Sequence, residues 1–152
     1  MNQTSKILIN KQNFNFSFQL IHWQKAHGRH GLPWQNTRDP YAIWLSEIML
    51  QQTRVATVIP YYQRFLKFYP DIKSLSLASL DEVLALWSGL GYYSRGRNLH
   101  KSANLIARNY GGKFPSEHNS IKQLPGIGRS TAAAIQVFAF GKRYAILDGN
   151  VK

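Results

Sequence analysis

Short helical segments separated by glycine and proline turns are the feature that most restricts the fold of this sequence. Apolar residues recur at helical spacing in segments such as 41–50 and 94–109, whereas the alternation typical of β-strands is scarce. Glycines at 89 and 91, 111 and 112, and 126 and 128 interrupt these segments, and glycine adopts backbone angles that other residues resist. The pattern predicts an all-α fold of many short helices joined by tight turns.

Several segment ends carry side chains that favour a helix boundary. Asp39 before Pro40 predicts the start of a helix that runs to residue 50, and Ser79 with Glu82 has the spacing of a capping box. Thr53 is expected to cap the next helix, towards residue 69. A helix is expected over 13–26, ended by Gly28. Another is expected over about 94–109, with Leu99, Ala103 and Ile106 on one stripe. Two more are expected over about 117–123 and from 129 to about 140. We expect two parts, an N-terminal helix with a lead-in loop (1–31) and a helical domain (32–152).

The charge balance indicates a polyanionic partner. Nineteen Lys and Arg residues oppose seven Asp and Glu residues, which gives a formal net charge of +12, and a small domain this basic points to nucleic acid. The alternative is a protein that is merely basic, and charge alone does not separate the two. No long apolar stretch or signal-type segment is present, and the start of the sequence, residues 1–12, is polar. We therefore expect a cytoplasmic protein without a membrane partner, and we also expect a monomer.

The residue types present exclude several kinds of site. The sequence has no cysteine, which excludes disulfides, a thiolate nucleophile and any zinc or iron–sulfur site with cysteine ligands. The spacing of the five histidines fits no metal motif, so no metal site is expected. These histidines are interpreted as surface or DNA-facing residues.

The segment LPGIGRSTAAAI, residues 124–135, is the most specific local signal. Gly126 and Gly128 allow a tight turn that exposes consecutive N–H groups, and together with the positive end of the following helix these groups form a seat for phosphate. Arg129 adds charge, and Ser130 and Thr131 add hydroxyl groups. The alternative is a connector that needs glycine only for its geometry. The flanking residues and the net charge favour DNA binding.

Among the seven acidic residues, Glu47 stands apart. Asp39, Asp81 and Glu82 lie at helix starts, where negative charge is favourable, and Asp71 and Glu117 are assigned to polar turns. Glu47 instead lies inside an apolar helical segment, on one face with Ile43 and Leu50. Burial there would raise its pKa and suit it to act as a general acid. The alternative for Glu47 is a structural role in which it pairs with an arginine such as Arg54. Asp148, the seventh acidic residue, is interpreted as a helix cap or turn former.

Five blocks of the sequence resemble the adenine DNA glycosylase (MutY) branch of the helix–hairpin–helix DNA glycosylase superfamily, which includes endonuclease III. The blocks are LPW at 32–34, WLSEIMLQQT at 44–53, GLGYYSRGRNLHK at 89–101, LPGIGRSTA at 124–132 and LDGNVK at 147–152. They follow the order of the family. The resemblance implies the helical-barrel part of that fold, with the helix–hairpin–helix motif at about 117–138.

The resemblance also implies a reaction. The family excises adenine mispaired with 8-oxoguanine or guanine from double-stranded DNA, as a step of base excision repair. Glu47 would protonate the adenine ring, Asp148 would stabilise the positive sugar left behind, and Asn150 would help to hold that site. This division of work between two carboxyl groups parallels glycoside hydrolysis.

Base flipping requires residues that fill the gap and bind the extruded base. By resemblance, Gln52 and Tyr92 are wedge residues beside the opposite base, supported by Thr53 and Leu90, and Leu32 and Trp34 line the adenine pocket. The alternative for each apolar residue is core packing, which we expect for Trp44 and Trp87. Ser130 stands where endonuclease III has a lysine, so we expect base excision without efficient strand cleavage.

The sequence departs from the family at its end. It stops at Lys152, whereas the resemblance implies further helices, four cysteines that bind a [4Fe-4S] cluster, and a domain that checks for 8-oxoguanine. We therefore expect a monofunctional adenine DNA glycosylase in a truncated, bacterial form that binds no cofactor, and whether this form is active, weakly active or inactive stays open. Two alternatives stay open, a non-catalytic DNA-binding module and an endonuclease III-like glycosylase, although Ser130 disfavours the latter.

Overall fold

The fold is helical throughout the part of the chain that the structure, a computed structural model, describes, residues 15–146. These residues contain no β-strand, which confirms the predicted all-α class. The helices are α1 (Phe16–His27), a 3-10 helix (Pro33–Asn36), α2 (Pro40–Met49), α3 (Val55–Phe68), α4 (Ile72–Leu77), α5 (Leu80–Trp87), α6 (Ser94–Tyr110), α7 (His118–Lys122) and α8 (Arg129–Phe140). The chain divides into two compact units, Met1–Gly31 and Leu32–Lys152.

The first unit contains the helix α1. The side chain of Asn15 accepts a hydrogen bond from the backbone N–H of Phe18 at 3.1 Å and so caps the helix. At the other end, the N–H of Gly28 donates to the carbonyl of Gln24 at 2.7 Å. The predicted helix is therefore present from residue 16, and residues 13 and 14 lie outside the described part of the chain.

The second unit is organised around helices α2 and α6. Helix α2 packs against α3, α6 and α8, and helix α6 also packs against α4 and α5. Trp44, Phe65 and Trp87 are fully buried, and the rings of Phe65 and Trp87 meet edge to face at 5.7 Å. The expectation that Trp44 and Trp87 pack in the core is confirmed. Each such side chain contributes about 2–3 kcal/mol of hydrophobic stabilisation.

Most helix boundaries follow the capping chemistry of the sequence. The Asp39 carboxylate accepts from the N–H of Tyr41 at 3.0 Å and starts α2. Ser79 and Glu82 form the predicted capping box, in which the Glu82 carboxylate accepts from the N–H of Ser79 at 2.8 Å. The hydrogen bonds from Ser79 also hold the pKa of Glu82 below its ordinary value.

Two expectations about helix starts are wrong. Arg54, not Thr53, occupies the N-cap position of α3, because the Thr53 hydroxyl is directed back to the carbonyl of Gln51 at 3.3 Å. Asp71 does not lie in a simple polar turn, since it forms a capping box with Ser74 and starts α4. The 3-10 helix follows the lead-in loop, and Pro33 starts it by supplying a suitable backbone angle.

No helix in the described range 15–146 combines the length and apolar character needed to cross a membrane.

Candidate functional site

Glu47 lies on the most deeply buried helix of the second unit. Every residue of α2 except Pro40 and Glu47 is buried, and the Glu47 side chain is half-buried between Ser46 and Ile48. The helix is fixed at its start by Asp39 and along its length by α3, α6 and α8. The carboxyl group therefore has a defined position at the boundary between the apolar core and the surface, the setting that the sequence predicts for it.

The segment that follows α2 presents Gln52 to solvent. Gln52 is exposed, and its φ of 54° lies in the left-handed region, which residues other than glycine rarely adopt. Gln51 just before it is half-buried, and its side-chain amide nitrogen Nε2 donates to the Thr131 hydroxyl at 3.4 Å. The segment after Glu47 is thus joined to the start of α8.

A second exposed side chain, that of Tyr92, lies on the turn between α5 and α6. Tyr92 is 61% exposed and has a φ of 47°. Gly89 earlier in the turn has a φ of 91°, and a side chain there would collide with the hydroxyl of Tyr61, so this position requires glycine. Among residues 15–146, Gln52 and Tyr92 are the two residues other than glycine with positive φ, and both are predicted wedge residues.

Leu90 occupies a different environment from Tyr92. Its side chain is 5% exposed and belongs to the hydrophobic core. A contact between Leu90 and DNA would therefore involve its backbone. Thr53 is half-buried, and its hydroxyl accepts a hydrogen bond from Arg95 at 3.1 Å. Its role in the structure is therefore an intramolecular one.

Arg95 joins these two segments, and the sequence reasoning missed it. Its side chain is 7% exposed, on the first turn of α6. Its guanidinium donates to the carbonyl oxygens of Ile48, Met49, Gln51, Leu90 and Gly91 and to the Thr53 hydroxyl, at 2.7–3.4 Å. A signal was present, because Arg95 lies four residues before Leu99 and so continues the apolar stripe of α6.

The hairpin predicted between two helices is present, formed by α7, the loop 123–128 and α8. Leu124 and Ile127 are buried, and the N–H of Ile127 donates to the carbonyl of Leu124 at 3.1 Å. Gly126 between them has a φ of 78°, and a Cβ there would come within 2.9 Å of the Cβ of Asn98 on α6. The loop therefore needs glycine for its backbone angle and for its approach to α6.

The start of α8 leaves backbone groups for an anion. Gly128 is the N-cap residue and provides no side-chain acceptor for the first N–H groups of the helix, which carry the positive end of the helix dipole. Arg129 is exposed and Ser130 is half-buried, whereas Thr131 is buried and is the acceptor for Gln51. This arrangement favours phosphate contacts by the backbone, Arg129 and Ser130 over contacts by Thr131.

The remaining predicted site residues are placed only in part. Leu32 precedes the 3-10 helix and Trp34 lies within it, where the Trp34 ring meets Tyr62 edge to face at 5.4 Å. This 3-10 helix packs against α2, the helix of Glu47. Asp148 and Asn150 lie outside the described residues.

The residues of this sequence do not fit an iron–sulfur cluster with cysteine ligands. The 152-residue sequence supplies no cysteine thiolate, and the described residues contain no group of three or more His, Asp or Glu side chains that could hold a metal ion.

The described residues combine a helical fold, a glycine hairpin between two helices and a carboxyl group on a buried neighbouring helix. Residues 45–152 match the family model described as HhH-GPD superfamily base excision DNA repair protein. The chain belongs to this superfamily.

Individual relatives agree with this assignment. The chain is 53% identical over 137 residues to an adenine DNA glycosylase of Buchnera aphidicola subsp. Acyrthosiphon pisum, a match that covers 90% of this chain and 39% of that protein. The chain spans about two-fifths of the length of the bacterial relatives that it matches. The resemblance to adenine DNA glycosylases seen in the sequence blocks is confirmed.

Solved structures share the fold. A thermostable thymine-DNA glycosylase superposes with a TM-score of 0.83 at 31% identity, over 89% of this chain and 62% of that one. An endonuclease III in a non-covalent complex with DNA superposes with a TM-score of 0.75 at 23% identity, over 90% of this chain and 64% of that one. The predicted helix–hairpin–helix glycosylase fold is thereby confirmed.

Proposed function

We propose that this chain is the helical part of an adenine DNA glycosylase, which hydrolyses the N-glycosidic bond of an adenine mispaired with 8-oxoguanine or guanine. The observation that carries the proposal is the position of Glu47, a half-buried carboxyl group on a helix whose other residues after Pro40 are all buried, in a chain 53% identical to an adenine DNA glycosylase. A partly desolvated carboxyl group retains its proton more readily, which suits a general acid.

In the proposed reaction the adenine leaves the duplex before chemistry begins, because Glu47 has no access to a stacked base. Glu47 donates its proton to a ring nitrogen of the flipped adenine. The electron pair of the N-glycosidic bond then passes to the base, which departs as neutral adenine. The sugar is left with oxocarbenium character, which the Asp148 carboxylate stabilises with help from Asn150. Water adds to the sugar carbon and loses a proton, leaving an abasic site.

Contacts with DNA are proposed for three parts of the chain. The hairpin and the start of α8, with Gly126, Gly128, Arg129 and Ser130, are suited to bind backbone phosphates without reading sequence. Gln52 and Tyr92 are exposed and suited to fill the space that the flipped base vacates. Leu32 and Trp34 are proposed to contact the base itself. The fold shared with a DNA-bound endonuclease III supports this arrangement.

Ser130 defines the type of glycosylase proposed. A hydroxyl group cannot form a Schiff base with the sugar, so the strand should remain intact after excision. Serine at this position therefore supports a monofunctional enzyme over a glycosylase that also cleaves the strand.

The test is single-turnover release of adenine from a duplex with adenine opposite 8-oxoguanine, for the unmodified chain and for Glu47→Gln. Glu82→Gln is the matched control, because it makes the same change at an exposed capping-box position where glutamine is also suitable. We expect release by the unmodified chain and the control, and a loss of about 100-fold or more in Glu47→Gln. DNA binding without release by any of the three would instead identify a non-catalytic DNA-binding module.

A further inference from the structure

We propose that Arg95 is a positioning residue, which holds the two segments bearing Gln52 and Tyr92 in the shape needed to enter DNA. The inference rests on the proposed function, because it takes these two side chains as the ones that contact the duplex. It assigns a role to a buried cation that neither the proposed chemistry nor the proposed phosphate contacts use.

One guanidinium group binds both segments. Nη1 donates to the carbonyl oxygens of Met49 and Gln51 at 2.7 Å each, and so binds the end of α2 and the residue just before Gln52. Nη2 donates to the carbonyl of Gly91, the residue just before Tyr92, at 3.2 Å. The same nitrogen donates to the Thr53 hydroxyl, on the other side of Gln52, at 3.1 Å. Each exposed residue is thus held through its immediate neighbours in the chain.

The backbone angles of the two segments explain why such an anchor is needed. Gln52 and Tyr92 both adopt left-handed angles, which cost about 1 kcal/mol or more for each residue that is not glycine. Such angles persist only where surrounding contacts fix them. Because both side chains are exposed, their own contacts provide little of this constraint. The hydrogen bonds from Arg95 to the adjacent carbonyl oxygens provide it.

The aromatic contacts of Arg95 reinforce this geometry. The guanidinium carbon lies 5.5 Å from the ring centre of Tyr92 and 5.3 Å from that of the buried Trp87. Trp87 in turn donates through its indole N–H to the carbonyl of Gly91 at 3.0 Å. The Arg95 guanidinium therefore contacts the ring of Tyr92 and also binds the backbone next to Tyr92. The guanidinium is itself positioned by Trp87 in the core.

Arginine is required here for its geometry. Its planar group directs five N–H donors along fixed directions, whereas a lysine ammonium group carries three donors on a flexible stem. In Arg95 the donors on Nη1 and Nη2 reach the two segments, and the buried Nε–H has no partner among the described residues. Six acceptor groups from two separate segments surround Arg95. Lysine preserves the positive charge but cannot donate hydrogen bonds to the acceptors of both segments. Arg95→Lys therefore tests the positioning role while the charge stays the same.

The first experiment measures amide hydrogen exchange in the free 152-residue chain and in Arg95→Lys. We expect the hydrogen-bonded amides of the two segments to lose protection together, by about tenfold or more, while those of α8 change little. These amides are Leu50, Gln51 and Thr53 in the first segment and Leu90 in the second. Val58→Ala is the control, because Val58 is fully buried on α3 and makes none of the Arg95 contacts. It should lower protection broadly, in step with global stability. Unchanged protection of either segment in Arg95→Lys would refute the positioning role.

The second experiment uses a duplex with 2-aminopurine, a fluorescent adenine analogue, opposite 8-oxoguanine. Affinity in Arg95→Lys should stay within about threefold, because phosphate contacts dominate it, whereas the fluorescence increase that reports unstacking should fall by about fivefold or more. If Arg95→Lys lost affinity and fluorescence increase equally, and by as much as Val58→Ala, Arg95 would contribute only to packing and the positioning role would be refuted.

The two proposals fail in different ways. If the unmodified chain releases no adenine, the glycosylase proposal fails, yet joint loss of exchange protection in Arg95→Lys still supports positioning. If adenine is released and Arg95→Lys leaves both segments protected, the positioning proposal fails alone.

Discussion

The buried hydroxyl of Ser102 on α6 donates to the carbonyl oxygen of Pro125 in the hairpin at 3.0 Å. This hydrogen bond joins the centre of the longest described helix to the loop proposed to bind phosphate. The neighbouring Gly126 also approaches α6 closely, at Asn98. The shape of the hairpin therefore depends on α6 as well as on its own glycines.

Ser102→Ala should weaken DNA binding without unfolding the protein. Loss of the hydroxyl leaves a polar carbonyl without its partner, which costs about 1–3 kcal/mol of stability, and the hairpin loses its anchor. We expect an increase in Kd of about threefold to tenfold for any duplex sequence, because phosphate contacts do not read sequence. Fluorescence anisotropy at several salt concentrations would measure it.

Ser76→Ala is the matched control for this substitution. The Ser76 hydroxyl bonds only within its own helix in the structure, to the carbonyl of Lys73 at 2.8 Å. An equal change in Kd for the two variants would show that the bond to Pro125 has no special role.

Gln52→Gly should preserve stability while impairing function. Glycine relieves the left-handed strain at this position, and this gain offsets the entropy that glycine adds to the unfolded chain, so the free energy of unfolding should change by less than about 1 kcal/mol. The exposed side chain is lost, so excision should slow by about tenfold or more if it fills the gap in the duplex. Thermal denaturation and single-turnover excision measure the two effects.

Gln63→Gly supplies the comparison for Gln52→Gly. Gln63 is exposed within α3, where glycine costs about 1 kcal/mol, so it should lower stability and leave excision intact. The strain argument would be untenable if both glycine variants lost stability equally.

Ser130→Lys should introduce strand cleavage. A lysine amine at the start of α8 provides the nucleophile for a Schiff base, and β-elimination then cuts the strand. The measurement is the fraction of nicked strand without added base, with borohydride trapping of the covalent intermediate. Arg129→Lys, one residue earlier, is the control that adds a lysine without replacing Ser130, and cleavage by both variants to the same extent would contradict the assignment.

Acid should destabilise the protein partly through Asp71. The N–H of Ser74 donates to its carboxylate at 2.7 Å, and this bond lowers the pKa of Asp71 from 3.8. Because the folded pKa is the lower one, this stabilisation is complete above the unfolded pKa and is lost as the pH falls through the folded pKa.

Asp71→Asn should flatten this dependence, because asparagine also caps helices but does not titrate. Urea unfolding between about pH 6 and pH 2.5 measures it, and Asp81→Asn, which changes an exposed carboxylate of α5, is the control. Parallel curves for Asp71→Asn and the unmodified chain would contradict the effect.

The sequence determines the helices more fully than the site. The starts of α2 and α5 follow from Asp39 and from Ser79 with Glu82, since these caps are local. The position of Glu47 also follows from its apolar neighbours. The capping box at Asp71 was missed, because α4 is only six residues long and shows little periodicity.

Arg95 and Thr53 show why the rest could not be predicted. The acceptors of Arg95 are mostly backbone carbonyls, which carry no signature in the sequence and converge only when α2 and α6 pack together. The Thr53 hydroxyl resembles a helix cap in the sequence, yet it bonds to Gln51 and Arg95. The left-handed angles at Gln52 and Tyr92 are likewise imposed by packing, because neither residue type favours them.

The arrangement of Arg95 and Ser102 on one face of α6 has a consequence for how such a chain tolerates insertions and deletions. Each added residue turns the following helix by about 100°, so one alanine inserted after Arg97 would carry Ser102 away from Pro125 while Arg95 stayed in place. Insertion of the same residue in the turn 111–112 should be far less harmful. Among related chains, we expect the spacing between these two anchors to be invariant while loop lengths vary, and an alignment with gaps inside that interval would contradict this.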